Sequence, residues 1–232
     1  MLFLLSEIRV KNMNSKIKKR LIGILYPNRC PFCDKLINEN ECACEKCIGK
    51  LPEFSVKRHA LGGWLCPAPF VYNGCYADAV KRFKFLKRKN YSADMAYYIA
   101  GSILELYPPE LLQAIDYVTC VPMHKKDLKR RRYNQAELLA RDCSELLGID
   151  YLETLKKVKY NKKQHTLKAS LRYDNVKGVF RCIDPLQVKG KNIIIIDDII
   201  TTGATLGECA KNLKKAGCAN VACAVFCSAQ QF

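Results

Sequence analysis

The sequence predicts an α/β protein in which a parallel β-sheet is flanked by helices, with a small four-cysteine zinc-binding module at its N-terminus. Two observations support this. The segment KNIIIIDDII, residues 191–200, has the isoleucine run of a strand buried on both faces of a parallel sheet, and a helix and a second strand follow it. Two Cys-x2-Cys pairs within residues 30–47 have the spacing of zinc ligands.

Three parts are predicted along the 232 residues: a basic N-terminal segment over 1–25, a zinc-binding module with its connector over 26–66, and the α/β domain over 67–232. No apolar run reaches the ~18 residues of a membrane span. The apolar first five residues precede the positive charges, which is the wrong order for a signal peptide. The 14 cysteines are therefore predicted to be thiols in a reducing cytoplasm.

The N-terminal module is predicted from Cys30 with Cys33 and Cys44 with Cys47. A two-residue gap lets a tight turn aim both sulfurs at one ion, and two such pairs complete a tetrahedral thiolate site. So short a segment buries too little apolar surface to fold alone, so we expect one structural Zn²⁺ to hold it together. Cys42 is an alternative partner of Cys47, but Cys44 repeats the gap of the first pair. Accidental thiol spacing and a redox pair are the other interpretations.

The elements of the α/β domain follow in order from hydrophobic periodicity. The first helix, 92–109, has an apolar stripe that ends before a proline. An apolar strand over 116–123 precedes a helix over 134–148, whose stripe ends at Gly148. The remaining elements are the strand 191–200, a helix over 205–217 and a strand over 220–227. Strand, helix and strand in this rhythm predict a right-handed crossover and a parallel sheet.

The segment IIIIDDIITTGAT, residues 193–205, predicts a sugar-phosphate site. Its strand delivers Asp197 and Asp198 to the sheet edge where ligands of open α/β sheets bind. The next loop offers N–H groups, hydroxyls and a helix N-terminus to a phosphate, from Thr201, Thr202, Gly203, Ala204 and Thr205. The carboxylates are expected to face ribose hydroxyls or a Mg²⁺ ion and its waters. A strand end with a threonine-rich helix cap and no ligand is the alternative.

This segment closely resembles the phosphoribosyl diphosphate (PRPP) motif of type I phosphoribosyltransferases. The resemblance implies that Asp197 and Asp198 serve the ribose hydroxyls, that residues 201–205 hold the 5′-phosphate, and that Mg²⁺ accompanies PRPP. It also implies the type I phosphoribosyltransferase fold for residues 67–232. In the 6-oxopurine branch an aspartate usually stands at the position of Thr201, which argues against that branch.

From Tyr26 to Ala229 the chain resembles the ComF family, competence-associated proteins with a phosphoribosyltransferase-like domain. The shared motifs are YPNRCPFC, VYNG with AVKRFKF, DYVTCVPMH with RRRYNQAELLAR, and QHTLKASLRYDNVKGVF. Two departures stand out. The family usually has Arg-Gly-Phe-Asn-Gln where residues 131–135 read RRYNQ, so the backbone geometry there is open. The stretch 48–66 contains only Cys66, so one zinc ion is expected instead of two.

By position in the family, VPMHKK (121–126) corresponds to the loop on the pyrophosphate side, and 156–180 to a mobile loop that closes over PRPP. The residues predicted to serve this side of the ligand are Met123, His124, Lys125, Gln135 and Arg172. For any lysine here, a solvated side chain is the alternative.

The net charge of +17 is clustered, because four runs contain six Lys or Arg each: 9–20, 81–89, 124–132 and 156–168. Such runs favour a polyanionic partner, although solvated charges would look the same. Nearby aromatic side chains offer stacking surfaces for single-stranded DNA: Phe83, Phe85, Tyr91, Tyr133 and Tyr160.

Two functions follow from the resemblance. The first is a phosphoribosyltransferase with an unknown acceptor, involved in DNA uptake during natural transformation. The alternative is a non-catalytic, PRPP-sensing protein that binds single-stranded DNA. A competence helicase or other DNA-uptake proteins are possible partners in either case, and the sequence contains no readable acceptor pocket.

Overall fold

The computed structural model describes residues 27–38, 40–51, 57–58, 65–160 and 175–229. Its helices are α1 (Glu45–Ile48), α2 (Gly74–Phe85), α3 (Tyr91–Leu106), α4 (Pro109–Gln113), α5 (Lys125–Arg131), α6 (Gln135–Leu147), α7 (Pro185–Val188) and α8 (Ala204–Lys215). Its strands are β1 (Lys57–Arg58), β2 (Pro67–Ala68), β3 (Phe70–Val71), β4 (Tyr117–Cys120), β5 (Leu155–Lys157), β6 (Phe180–Cys182), β7 (Asn192–Ile200) and β8 (Asn220–Ser228).

The main sheet has four parallel strands in the order β3-β8-β7-β4. Strand β7 lies between β8 and β4 because its isoleucines, Ile193 to Ile196, are buried on both faces, each at most 1% exposed. The predicted fold class is confirmed. Two short antiparallel pairs, β1 with β2 and β5 with β6, stand apart from this sheet.

The three predicted long helices form as α3, α6 and α8. Helices α3 and α6 pack against each other and against the sheet, and α8 packs against β6, β7 and β8. Gly148 ends α6 in the left-handed conformation at φ 69°, as its position after the apolar stripe predicts. No helix within the described ranges combines the length and the hydropathy needed to cross a membrane.

The departure from the family pattern at residues 131–135 has a clear backbone consequence. Arg132 ends α5 in the left-handed conformation, at φ 70°. Glycine is favoured there because an L side chain in this region costs about 1–2 kcal/mol. The chain therefore keeps the turn that the family's glycine implies, and Arg132 occupies it under strain.

Candidate functional site

The sulfurs of Cys30, Cys33, Cys44 and Cys47 all lie within 4.8 Å of one another. The Sγ atoms of Cys33 and Cys44 are 3.6 Å apart. Zinc–sulfur bonds of about 2.3 Å in a tetrahedron place the sulfurs roughly 3.8 Å apart, so the cluster has the size of a Zn²⁺ site. The sulfur of Cys44, and not that of Cys42, belongs to it.

Each cysteine pair is held by its own backbone. The first cysteine loop (residues 30–33) is closed by hydrogen bonds from the Cys30 N–H to the Lys35 carbonyl and from the Asp34 N–H to the Cys30 carbonyl, both 2.8 Å. In the second pair, Cys44 precedes α1 and the Cys47 N–H donates to the Cys44 carbonyl at 2.9 Å. This pair does begin a helix, but the described residues 40–44 that lead into the helix form no strand, unlike the segment before a thioredoxin-like redox site.

The crowding of the four thiols shifts the pKa values of Cys44 and Cys47 in opposite directions. Burial alone would raise the pKa of Cys44, but hydrogen bonds from the Cys47 N–H and the Cys33 thiol lower it to about 7. Burial and the Cys44 thiol raise the pKa of Cys47. A divalent cation would favour the thiolate forms at all four positions, because thiolates are the metal-binding species.

A cleft of about 830 Å³ opens at the carboxyl ends of β4 and β7. Strand β7 contributes Asp197, Asp198 and Ile199 to its lining. Helix α2 forms the opposite wall, and the segments after β4 and before α6 complete the cleft. Among the predicted site residues, six line it: Asp197, Asp198, Thr201, Thr205, Met123 and Gln135.

The two aspartates of the cleft differ in environment. The Asp198 carboxylate forms an ion pair with Lys84, whose Nζ is 2.8 Å from Oδ1, and the two side chains are 9% and 20% exposed. The Asp197 carboxylate accepts a hydrogen bond of 2.8 Å from the Asp198 N–H. Burial and the neighbouring Asp198 carboxylate raise the pKa of Asp197 to about 7. The Asp197 carboxyl is therefore about half protonated near pH 7 when no ligand is bound.

The loop after β7 has the geometry that an anion site requires. Gly203 precedes α8 in the left-handed conformation, at φ 75°, which glycine adopts without strain. The hydroxyl of Thr202 lies 3.4 Å from the Ala204 N–H and accepts from it. Thr201 and Thr205 line the cleft on either side of these residues. The N-terminus of a 12-residue helix thus faces the space beside the aspartates.

Of the residues predicted for the pyrophosphate side, Met123 and Gln135 line the cleft, whereas His124 and Lys125 do not. Gln135 is 1% exposed, and its Oε1 accepts a hydrogen bond of 3.1 Å from Arg131. His124 does not line the cleft; its Nδ1 accepts from the Lys126 N–H at 3.2 Å and so caps α5. Lys125 is exposed in the first turn of that helix. Arg172 lies outside the described residues, as does most of the predicted mobile loop.

Sequence reasoning missed three lysines of the cleft, Lys81, Lys84 and Lys157. In the sequence Lys84 is only a member of a basic run, and its pairing with Asp198 joins residues 114 positions apart. Lys157 ends β5, and burial lowers its pKa while the Asp127 and Asp197 carboxylates oppose that change. The AVKRFKF motif was the available signal for Lys84; no pattern in the sequence distinguishes Lys157 from its neighbours.

The predicted stacking surface is partly wrong. Phe83, Tyr91 and Tyr133 are at most 6% exposed, because they belong to the hydrophobic core. Only Phe85 and Tyr160 of the predicted set are exposed, at 60% and 49%. Within the run 81–89, Arg82 and Lys84 are engaged in internal contacts and do not act as surface charges.

Comparison with known proteins gives consistent relationships. The phosphoribosyl transferase domain model matches residues 134–231. The chain is 29% identical over 193 residues to the DNA utilization protein YhgH of Salmonella typhimurium, covering 83% of this chain and 80% of that protein. It is 27% identical over 190 residues to Competence protein F of Haemophilus influenzae, covering 81% and 79%.

A third relative, Competence protein ComFC of Bacillus subtilis, is 28% identical over 150 residues, which is 64% of this chain and 57% of that protein. The domain match, these relatives and the parallel sheet with its four-cysteine cluster agree with the motifs of the sequence. These findings support the resemblance to the ComF family and a phosphoribosyltransferase-like domain in this chain.

Proposed function

We propose that this protein binds Mg²⁺-PRPP in the cleft and transfers the phosphoribosyl group to an acceptor, in the cytoplasm and in the service of DNA uptake. The main support is that the acid pair Asp197–Asp198 and the loop 201–205 converge on one cleft of about 830 Å³. A volume of this size suits a small phosphorylated ligand. The names of the relatives, which refer to DNA utilization and competence, support the biological context.

The chemistry assigns a role to each part of the cleft. The loop 201–205 and the N-terminus of α8 bind the 5′-phosphate through N–H groups and hydroxyls. Asp197 and Asp198 accept hydrogen bonds from the ribose hydroxyls, which orients C1′. The acceptor forms a bond to C1′ as the bond from C1′ to the diphosphate oxygen breaks, and the diphosphate leaves with the electron pair. Mg²⁺ neutralises charge on the diphosphate when it is bound.

Cations of the chain can assist the departure of the diphosphate. Lys157 and Arg131 line the same cleft as the segment 121–123 that follows β4. Their positive charges are available where negative charge develops, which is the most effective form of electrostatic stabilisation. We assign the N-terminal cluster one structural Zn²⁺, bound by Cys30, Cys33, Cys44 and Cys47, since its geometry fits that ion.

A binding experiment tests the site. Replacing both Asp197 and Asp198 with Asn keeps side-chain volume but removes the two carboxylates. Calorimetry with Mg²⁺ and PRPP should then show no measurable binding. Asp116→Asn is the matched control, because Asp116 precedes β4 at the far end of the sheet and accepts from the Asn192 N–H at 2.8 Å. Unchanged affinity in the double variant would exclude this site.

A second candidate function is PRPP sensing coupled to single-stranded DNA binding, without transfer. It is favoured by the exposed cations of the runs 81–89 and 124–132 and by the names of the relatives. Exposed members of the two central basic runs include Lys87, Lys89, Lys129 and Arg132. Among the described residues, Phe85 and Tyr160 have exposed rings on which bases could stack. A competence helicase or another DNA-uptake protein would be the natural partner of such a complex.

Two measurements separate the candidates. Pyrophosphate release with an unbiased panel of acceptors supports transfer. Salt-sensitive binding of labelled single strands, with a log–log slope of about −0.7 per phosphate contact, supports the DNA function. Replacing Lys87, Lys89, Lys129 and Arg132 with Ser should abolish that binding, whereas the same change at Lys177, Lys189, Lys211 and Lys215 should not. Equal loss in both variants would mean that the binding is unspecific.

A further inference from the structure

We infer that the first cysteine loop positions the acid pair of the cleft through α2: Arg82 binds the loop, and Lys84 from the same helix binds Asp198. Arg82 is thus a positioning residue, and the metal module is part of the PRPP site's architecture. The inference rests on the proposed function, because its readout is PRPP affinity.

The Arg82 guanidinium connects the metal module to the cleft. One of its terminal nitrogens, Nη2, donates to the carbonyls of Pro31 and Phe32, each at 2.9 Å. These two residues lie between the metal ligands Cys30 and Cys33, so their carbonyls are fixed when both sulfurs are fixed. Arg82 also lines the cleft. Charge-assisted bonds of this length are among the stronger hydrogen bonds of proteins.

The first cysteine loop is itself firmly seated. Phe32 is 3% exposed, and its ring contacts Phe70, Tyr76 and Tyr98 edge-on, with centroid distances of 5.5 Å in each case. Phe70 belongs to β3 of the main sheet, and Tyr76 belongs to α2. The loop therefore packs against both the sheet and the helix that it is inferred to position.

A second polar contact holds Asp34, the residue directly after the loop, and does not involve α2. The Asp34 carboxylate accepts hydrogen bonds from Arg88, at 3.0 Å, and from the Tyr91 hydroxyl. Burial acts to raise the pKa of Asp34, but the Tyr91 and Arg88 contacts lower it below its usual range. Arg88 follows the end of α2 at Phe85 and does not line the cleft. This contact holds the loop without leading to the acid pair.

The far end of the connection is the ion pair between Lys84 and Asp198. Lys84 lies in the last turn of α2, two residues after Arg82, and its Nζ approaches Asp198 Oδ1 to 2.8 Å. Its charge also opposes the rise in the pKa of Asp197. A displacement of α2 by about 1 Å would lengthen this contact, leave Asp198 poorly paired and disturb the carboxylates proposed to hold the ribose.

The competing explanation is that α2 is positioned by its own apolar face, since Val80 and Phe83 are completely buried. In that case Arg82 and the metal module would contribute nothing to PRPP affinity. The two explanations make opposite predictions for a variant that breaks the Arg82 hydrogen bonds and leaves both the apolar face and the four cysteines intact.

The test compares Arg82→Gln with Arg88→Gln in the full-length, zinc-loaded protein. Each variant removes one positive charge and one side chain that anchors the first cysteine loop. Arg82→Gln should raise the PRPP dissociation constant about tenfold by calorimetry while zinc content and the far-UV spectrum stay unchanged. Arg88→Gln should leave it within about twofold. Lys84→Met should also weaken binding, and the double variant Arg82→Gln, Lys84→Met should be no weaker than Lys84→Met alone.

Chelation of the metal is an independent test. Removal of the metal should weaken PRPP binding by the wild type and should have little further effect on PRPP binding by Arg82→Gln. Full PRPP affinity in Arg82→Gln, or equal weakening in Arg88→Gln, would overturn the inference. Failure of the wild type to bind PRPP at all would instead refute the proposed function, so the two failures are distinguishable.

Discussion

Replacing Asp197 with Asn should stabilise the protein, although it removes a residue of the proposed site. Asp197 is crowded by Asp198, and its pKa of about 7 compares with an ordinary 3.8. In the native state it keeps a proton that the unfolded chain has lost between about pH 4 and pH 7, so stability falls as the pH rises through this window. At 1.36 kcal/mol per pKa unit, the penalty is about 2 kcal/mol at pH 5 and about 4 kcal/mol at pH 8.

Asparagine retains the oxygen that accepts from the Asp198 N–H, and Lys84 retains Asp198 as its partner. The substitution therefore removes the penalty while both of these interactions stay in place. Urea unfolding followed by circular dichroism should show a gain in stability that grows from pH 5 to pH 8. Titrating groups that do not interact with Asp197 are common to both proteins and cancel in the difference.

Asp116→Asn is a control for which we expect the opposite change in stability. The Asn192 N–H and Lys191 lower the pKa of Asp116, so its contribution to stability is present above its unfolded pKa and is lost as the pH falls. Its replacement should therefore destabilise the protein at pH 8. The reasoning about Asp197 is refuted if Asp197→Asn is less stable than the wild type at pH 8, or if its gain is the same at both pH values.

Two further predictions concern the backbone and the metal. Arg132→Gly should raise the free energy of unfolding by about 1 kcal/mol, because it relieves a left-handed arginine at the end of α5; a lower urea midpoint would contradict this. Cys44→Ser should reduce the zinc content from about one ion per chain, whereas Cys42→Ser should retain it, as measured by elemental analysis. The reverse pattern would show that Cys42 is the ligand.

The sequence was sufficient to predict the local elements and the resemblance to the ComF family. A run of four isoleucines can be satisfied only where both faces of a strand are buried, which identified β7 as a central strand. The apolar stripe before Gly148 identified α6 and its end. The motif from Ile193 to Thr205 keeps its acids and its loop together because they are adjacent in the chain, so their proximity needed no tertiary information.

The sequence by itself thus determined the parallel-sheet fold, the resemblance to the ComF family, the pairing of Cys44 with Cys47 by spacing, and the motif of the candidate ligand loop. Only the tertiary structure decided which basic and aromatic side chains of residues 81–89 face inward. A helix presents successive residues about 100° apart, so neighbours in one run reach different surroundings. Phe83 enters the core, Arg82 reaches the first cysteine loop and Lys84 reaches Asp198, and such long-range contacts leave no local periodicity to detect.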